Sequence, residues 1–454
     1  MRHASLALLL VGLVAGCSRG LPARLDGTAA AYRAGEPVFV IDAVATTQDG
    51  ATGIDVYLGL PPASVVYRRT ADSLVATARW TVTVEPERGA PLVRSPLDTL
   101  RAATAEGALS VEPHWRRVRI EVPPGRYDIR ATLEDLGSER TAERRLEVEV
   151  PVRSEGARLG ALRFEGEGRD GVGPLDALSV PAGLDSLRVV AEAGGAPEGG
   201  VVSATVERVR SDTSAALPLI AFTPSLVSIR ARGVDVGETE RVDSARRPVE
   251  AGGVAVPLVP LGPGVYRVRL ALRDADGDSL AGAERLAVVR RRDYPRMARL
   301  GDLVEPLVYI GDERDVDRIR EQPTAAAQRR AFDRFWGDQM DDRRLASATL
   351  RAFYERVEEA NRLFGTYKEG WKTDPGMVYV LFGPPRYVES TIDGERWTYG
   401  SVGSAPPVFV FERTAGPSQG AYAAPFDVLT LQRDRAYNDS WRRARRQWRT
   451  GIVP

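Results

Sequence analysis

Apolar positions change rhythm twice along this chain. Early on, short runs rich in β-branched residues recur at Pro37 to Ala45, Gly53 to Leu60 and Ala78 to Val84, each bounded by clusters of Gly, Pro, Asp and Ser. Runs of that length and spacing predict the strands of an all-β domain. The segment Pro124-Gly125-Arg126-Tyr127-Asp128-Ile129-Arg130 then alternates residue by residue after a turn, as a strand with one buried face does. Its pattern returns at Pro263-Gly264-Val265-Tyr266-Arg267-Val268-Arg269. Leu133 and Asp135 are matched by Leu272 and Asp274 at the same offset, and Arg145 to Val148 by Arg285 to Val288 after one inserted residue. The recurrence predicts two copies of one β fold, at residues 25–153 and 154–292.

After Arg290-Arg291-Arg292-Asp293 the spacing becomes helical. Pro323 and Thr324 mark a start, followed by a stripe of Phe332, Phe335, Trp336 and Met340, which predicts a helix with one buried side. Ser347 is expected to cap the next, whose apolar face holds Leu350, Phe353, Tyr354, Val357, Ala360 and Phe364. Gly370 to Pro385 then packs turn residues densely. The run Met377 to Phe382, between Thr-Asp-Pro-Gly and Gly-Pro-Pro, is expected to be a short buried strand. Arg396 to Tyr399 and Val408 to Phe411 read as further strands, so residues 293–454 are expected to be an α+β domain of helices and a small sheet.

Two resemblances add to this reading. The Pro-Gly-x-Tyr element resembles the turn that enters a late strand in immunoglobulin-like or fibronectin-type sandwiches, where a Tyr braces the corner. The segment containing Gly370, Trp371, Thr373, Asp374, Gly376, Gly383, Pro384 and Pro385 resembles the GWxTD domain, a family named for this motif and found in bacterial envelope proteins. Phe332, Phe335 and Trp336, with Arg356, Val357, Ala360 and Asn361, match the helices that lead into the motif in that family. Pro375, where a basic residue is common, and Arg386, where an acidic one is, depart from it. The resemblance implies an envelope setting and no particular reaction.

The N-terminus agrees with such an address. Arg2, the apolar run Leu6 to Val14 and small residues before Cys17 predict a secretion signal at 1–16, far shorter than the roughly 20 residues of a membrane span. Leu13-Val14-Ala15-Gly16-Cys17 looks like a lipobox, which implies lipidation of Cys17, a lipidated tether at 17–24, and membrane attachment outside the cytoplasm. Ser18 favours the outer membrane.

Lys+Arg and Asp+Glu both total 62, so no global field favours nucleic acid. Cys17 is the single cysteine, and His3 and His114 are the two histidines, which removes most zinc, thiol and His-based chemistry. No cofactor or metal is expected. Gly166-x-Gly168-x-x-Gly171 matches a dinucleotide fingerprint, but Gly173-Pro174 follows where a helix is required; a loop is expected. Asp274, Asp276 and Asp278 around Gly277 read as a solvated hairpin turn. Asp374 is the carboxylate to weigh: with Thr373 it either satisfies turn or cap amides while Trp371 packs into the core, or it works with Glu389 or Glu395 in a hydrolase. Arg442, Arg443, Arg445, Arg446 and Arg449, between Trp441 and Trp448, predict a basic amphipathic end that either packs or meets an anionic surface. Two functions stand: a lipid-anchored envelope scaffold that binds a protein or cell-wall polymer, or an envelope hydrolase.

Overall fold

The computed structural model describes residues 36–48, 51–152, 156–168, 171–211, 213–218, 234–249, 253–338, 340, 342–391, 393–400, 406–414 and 428–454. The signal segment 1–16, Cys17 and the tether 17–24 lie outside the described residues.

The N-terminal part is mostly β-sheet. Its first region contains β1 (Val40–Gln48), β2 (Ala51–Leu60), β3 (Leu74–Pro86), β4 (His114–Glu121), β5 (Gly125–Asp135) and β6 (Arg140–Val150). One sheet has the order β1-β2-β4, and a second runs through β3-β5-β6, with the short strands Leu92–Arg94 and Leu97–Ala102 also paired to β3. Alternation along β3 and β5 sends Trp80, Val82, Val84, Tyr127, Ile129 and Leu133 to one side, where they meet Ile54, Val56, Leu58 and Ile120 of the other sheet in one core. The buried Trp80 indole donates to Asp98 Oδ2 at 2.7 Å, which satisfies its polar edge. His114 lies exposed at the start of β4.

The second region repeats the arrangement with β7 (Arg163–Gly168), β8 (Gly171–Pro174), β9 (Arg188–Ala191), β10 (Val201–Ser211), β11 (Val234–Pro248), β12 (Val254–Pro257), β13 (Gly264–Arg273) and β14 (Ser279–Arg290). Its two main sheets are β8-β7-β9-β12 and β14-β13-β10-β11, the second extended by the short strand Val180–Pro181 parallel to β14, with a core of its own between them. The Gly-rich segment is not a loop: it forms the β7–β8 hairpin, with Gly166 opposite Gly173 and Gly168 opposite Gly171. A hairpin leaves no helix N-terminus for a pyrophosphate. Asp274 accepts from Gly277 N and Asp278 N in the β13–β14 turn, as a solvated Asp-Gly turn should.

The repeated tyrosines do the same work. Tyr127 OH donates to Pro123 O at 2.7 Å and Tyr266 OH to Gly262 O at 2.9 Å, each four residues back. The other repeated element behaves differently. Tyr127 faces Val148 across the ladder, whereas Tyr266 faces Ala287. Residues Arg285 to Val288 are therefore one place out of step with Arg145 to Val148, and a slip of one residue turns each side chain to the opposite face. Leu146 and Val148 enter the first core; in the second, Ala287 and Val289 do.

The C-terminal part supplies the helices: α1 (Leu300–Val304), α2 (Glu313–Arg320), α3 (Ala325–Gly337), α4 (Arg343–Phe364), α5 (Asp374–Phe382) and α6 (Arg435–Arg449). Between α5 and α6 lies the antiparallel sheet β15 (Tyr387–Thr391), β16 (Gly394–Thr398), β17 (Val408–Thr414) and β18 (Val428–Leu431). Thr324 caps α3 as expected, accepting from Ala327 N at 3.2 Å. Ser347 does not cap α4. Asp342 does, accepting from Arg344 N at 2.8 Å, so the helix starts earlier and Ser347 sits exposed within it. Phe353 meets Tyr354 and Trp448 edge-on at 5.2 and 5.3 Å.

The run Met377 to Phe382 is a helix, not a strand. An apolar run of six carries no usable period, and the decision falls to its start: Thr373 caps it and Pro375 stands in its first turn, where a missing N–H costs nothing. From Pro375 to Leu381 every residue is buried, because α4, α6 and β18 enclose the helix.

Candidate functional site

The motif residues gather where α4, α5 and a 3₁₀ turn at Gly370–Lys372 cross. Two glycines make the crossing possible. A Cβ on Gly370 would sit 2.0 Å from Ala360 O, and one on Gly376 would sit 1.9 Å from Gly370 O. No side chain fits at either place. Trp371 is carried by this turn into the core, fully buried. Its backbone N donates to Asn361 Oδ1 at 3.3 Å, its carbonyl accepts from Tyr309 OH at 2.8 Å, and its indole N–H donates to Glu369 Oε2 at 3.2 Å. Tyr309 also meets the indole edge-on at 5.7 Å. Burial pushes the Tyr309 phenol well above its ordinary pKa, and the Asp374 charge adds to this; Tyr309 acts as a neutral donor.

Lys372 lies over the Trp371 ring at 5.2 Å and pairs with Glu305 at 2.9 Å and Glu369 at 3.0 Å. Burial works against its ammonium, but the two carboxylates outweigh that and hold it above an ordinary lysine. Thr373 Oγ1 donates to Gly370 O at 2.7 Å and accepts from Gly376 N at 3.1 Å, joining the turn to the cap of α5. Gly383 ends that helix at φ +77°, in the left-handed region that suits glycine. A Cβ there would lie 2.8 Å from the Arg356 guanidinium. Its carbonyl accepts from Tyr399 OH at 3.0 Å. Pro384 is exposed and Pro385 buried at the entry to β15.

Asp374 departs from the turn-amide expectation. It bonds no amide of its own turn: Oδ2 accepts from Leu431 N at 2.8 Å, and both carboxylate oxygens accept from Arg433, the Oδ2 contact at 3.1 Å. This two-pronged geometry is the strong form of the ion pair. Burial disfavours the Arg433 cation, yet Asp374 reverses the effect and raises its pKa. Arg433 Nε continues to Leu217 O at 2.9 Å. One carboxylate thus ties α5, the end of β18 and the segment that follows β10.

Neither proposed carboxylate partner shares this arrangement. Glu395 is buried and accepts from Trp397 Nε1 at 2.8 Å, and burial raises its pKa; Glu389 is exposed on β15. The basic end divides as well. Trp441 and Trp448 face inward on α6. Arg445 pairs with Asp312 and donates to Ile310 O at 3.0 Å, and Arg449 lies 3.4 Å from Asp312. Together these arginines hold the Asp312 carboxyl below its usual range. Arg442, Arg443 and Arg446 remain exposed.

Sequence reasoning missed Arg433 and residues 213–217. Ala216 N donates to Lys372 O at 2.9 Å and Lys368 Nζ to Ser214 O at 3.1 Å, while Arg290 donates to Thr366 O and Lys368 O. The motif therefore grips the second β region. No periodicity marks a lone Arg in a connection or a short linker that supplies backbone groups.

A GWxTD domain is present: residues 274–450 match that family's model. No curated protein matches the chain. Among solved structures, it is similar to red sea bream transglutaminase, at 13% identity over 56% of this chain and 31% of that one with a TM-score of 0.17. It is also similar to the native conformation of E. coli alpha-2-macroglobulin, at 11% identity over 56% of this chain and 26% of that one with a TM-score of 0.22. A third is the C-terminal domain of the Streptococcus agalactiae AgI/II polypeptide BspA, at 8% identity, 55% and 99% coverage and a TM-score of 0.15. The chain spans less than a third of the first two.

Proposed function

We propose that this protein is a lipid-anchored, non-catalytic scaffold of the cell envelope. In this reading the domains are 25–153, 154–292 and 293–454. The first two are immunoglobulin- or fibronectin-like sandwiches that extend from an outer-membrane anchor at Cys17, and the third engages an envelope protein or a cell-wall polymer. The observation that carries the non-catalytic reading is the state of the motif. Trp371, Lys372, Thr373 and Asp374 each spend their polar groups on the protein itself, whereas a reacting group needs an approachable partner and a free face. The hydrolase alternative gains no support from the carboxylates, since Asp374 is held by Arg433 and Glu395 by Trp397. Among the described residues no helix is long and apolar enough to cross a membrane, which is compatible with attachment through acyl chains. Two or more such chains give stable anchoring.

The anchor is tested by Cys17→Ser. Acyl labelling should vanish, and the protein should come off the membrane fraction in a high-salt wash that the acylated parent resists. Retention of labelled lipid by the serine variant would overturn the reading.

A further inference from the structure

The N-terminal end of α4 and the tail after α6 meet at one surface. Gly451, at φ +80°, lies so close to Leu345 that a Cβ there would come within 2.7 Å of its side chain. Beyond this turn the tail is fixed: Ile452 N donates to Gln447 O at 2.9 Å, and Arg356 Nη2 donates to Pro454 O at 2.7 Å. The fixed backbone nevertheless leaves Ile452 55%, Val453 42% and Leu345 40% exposed. Apolar side chains held in water beside one another on an ordered segment mark a contact surface.

The same two helices carry unspent cations. Arg343 and Arg344 stand in the first turn of α4, and Arg442, Arg443 and Arg446 on the outer side of α6, all exposed. Among the described residues, Arg343, Arg344, Arg443 and Arg446 form no ion pair, and Arg442 reaches only Asp439, at 3.9 Å. The first turn of α4 contains no acid, and two arginines at the positive end of a helix macrodipole weaken that helix. What they create is a concentrated positive field outside it. The exposed acids on these helices and at their caps are few: Asp342 and Asp434, engaged as the caps of α4 and α6, Glu355 and Asp439.

We propose that this face docks on an anionic lipid surface, with Leu345, Ile452 and Val453 entering the interface and the arginines meeting lipid phosphates. An acidic polymer would answer the charge but bury none of the apolar side chains. A second copy placed face to face would bring arginines against arginines. A bilayer interface satisfies both chemistries at once. This contact is separate from the acyl anchor proposed above, and it is tested without it.

The test uses the full chain carrying Cys17→Ser, floated with vesicles of phosphatidylcholine alone or mixed with phosphatidylglycerol. Retention is expected on the mixed vesicles only, weakening as salt is raised. Arg443→Gln with Arg446→Gln should lower the affinity about 25-fold, at roughly five-fold per charge near such a surface. Ile452→Ser with Val453→Ser should also lower it, and neither pair should move the unfolding temperature. Lack of retention, or equal retention on neutral vesicles, would overturn the proposal. So would binding to polyglutamate that the serine pair leaves intact, which identifies an acidic polymer, or a dimer that the serine pair dissolves, which identifies a second copy.

Discussion

The two β regions share one corner device and end differently. In the first, the cross-strand pair beside the tyrosine corner is Arg126 opposite Glu149, both exposed. At the same place in the second, the pair is Val265 opposite Val288. These valines, with Leu178 and Val209, pack on Tyr367 in the loop before the motif. The repeated Asp also changes role. Asp135 is buried and accepts from Val66 N at 3.0 Å and Gly137 N at 3.0 Å, whereas Asp274 sits in an exposed turn. A single scaffold thus yields a solvated end or a docking end according to two side chains that point away from its core. The lesson concerns the motif too: Trp371 and its neighbours form the other half of that dock.

The comparison can be broken most severely at Trp371. Trp371→Ala should destabilise the C-terminal core by about 3–5 kcal/mol, the usual range for truncating a buried Trp. The second β region should lose protection with it while the first does not. Hydrogen exchange of the full chain reads this directly; equal loss in both regions would contradict the difference drawn here. Asp374→Asn should cost about 3 kcal/mol, because it leaves the buried Arg433 cation without its charge partner. Chemical denaturation of the variant against Asp374→Asn with Arg433→Met separates the pair from its surroundings. A variant as stable as the parent would reopen Asp374 as a reacting group.

Copying the first region's charges into the second sharpens the contrast. Val265→Arg with Val288→Glu should remove the contact with Tyr367 at a cost of about 2–3 kcal/mol, by loss of apolar burial, and exchange should rise across residues 365–372. The reciprocal Arg126→Val with Glu149→Val should change stability by less than about 0.5 kcal/mol, as exposed substitutions do. The smallest effect is the shared one. Tyr127→Phe and Tyr266→Phe should each cost about 1 kcal/mol, one hydrogen bond apiece, and unequal losses would mean that the corners are not equivalent.

Local patterns determined a good part of this protein. The alternation around Tyr127 and Tyr266 named two strands and their kinship, and the stripes beginning at Phe332 and Leu350 named two helices, because a strand or helix with one buried face writes its period into the residues. Met340 of the first stripe nevertheless falls beyond the helix end at Gly337. The motif was also visible, since Gly370 and Gly376 are tied to backbone crossings that admit no side chain. Tertiary structure alone decided the rest. Met377 to Phe382 is enclosed on every side, so its apolar run has no period to show, and the cap at Thr373 makes it a helix. Arg285 to Val288 repeats a sequence but not a position, since register is settled by the partner strand. The pairing of Asp374 with Arg433 depends on β18 delivering that arginine to the start of α5, a meeting of distant segments that no local spacing records.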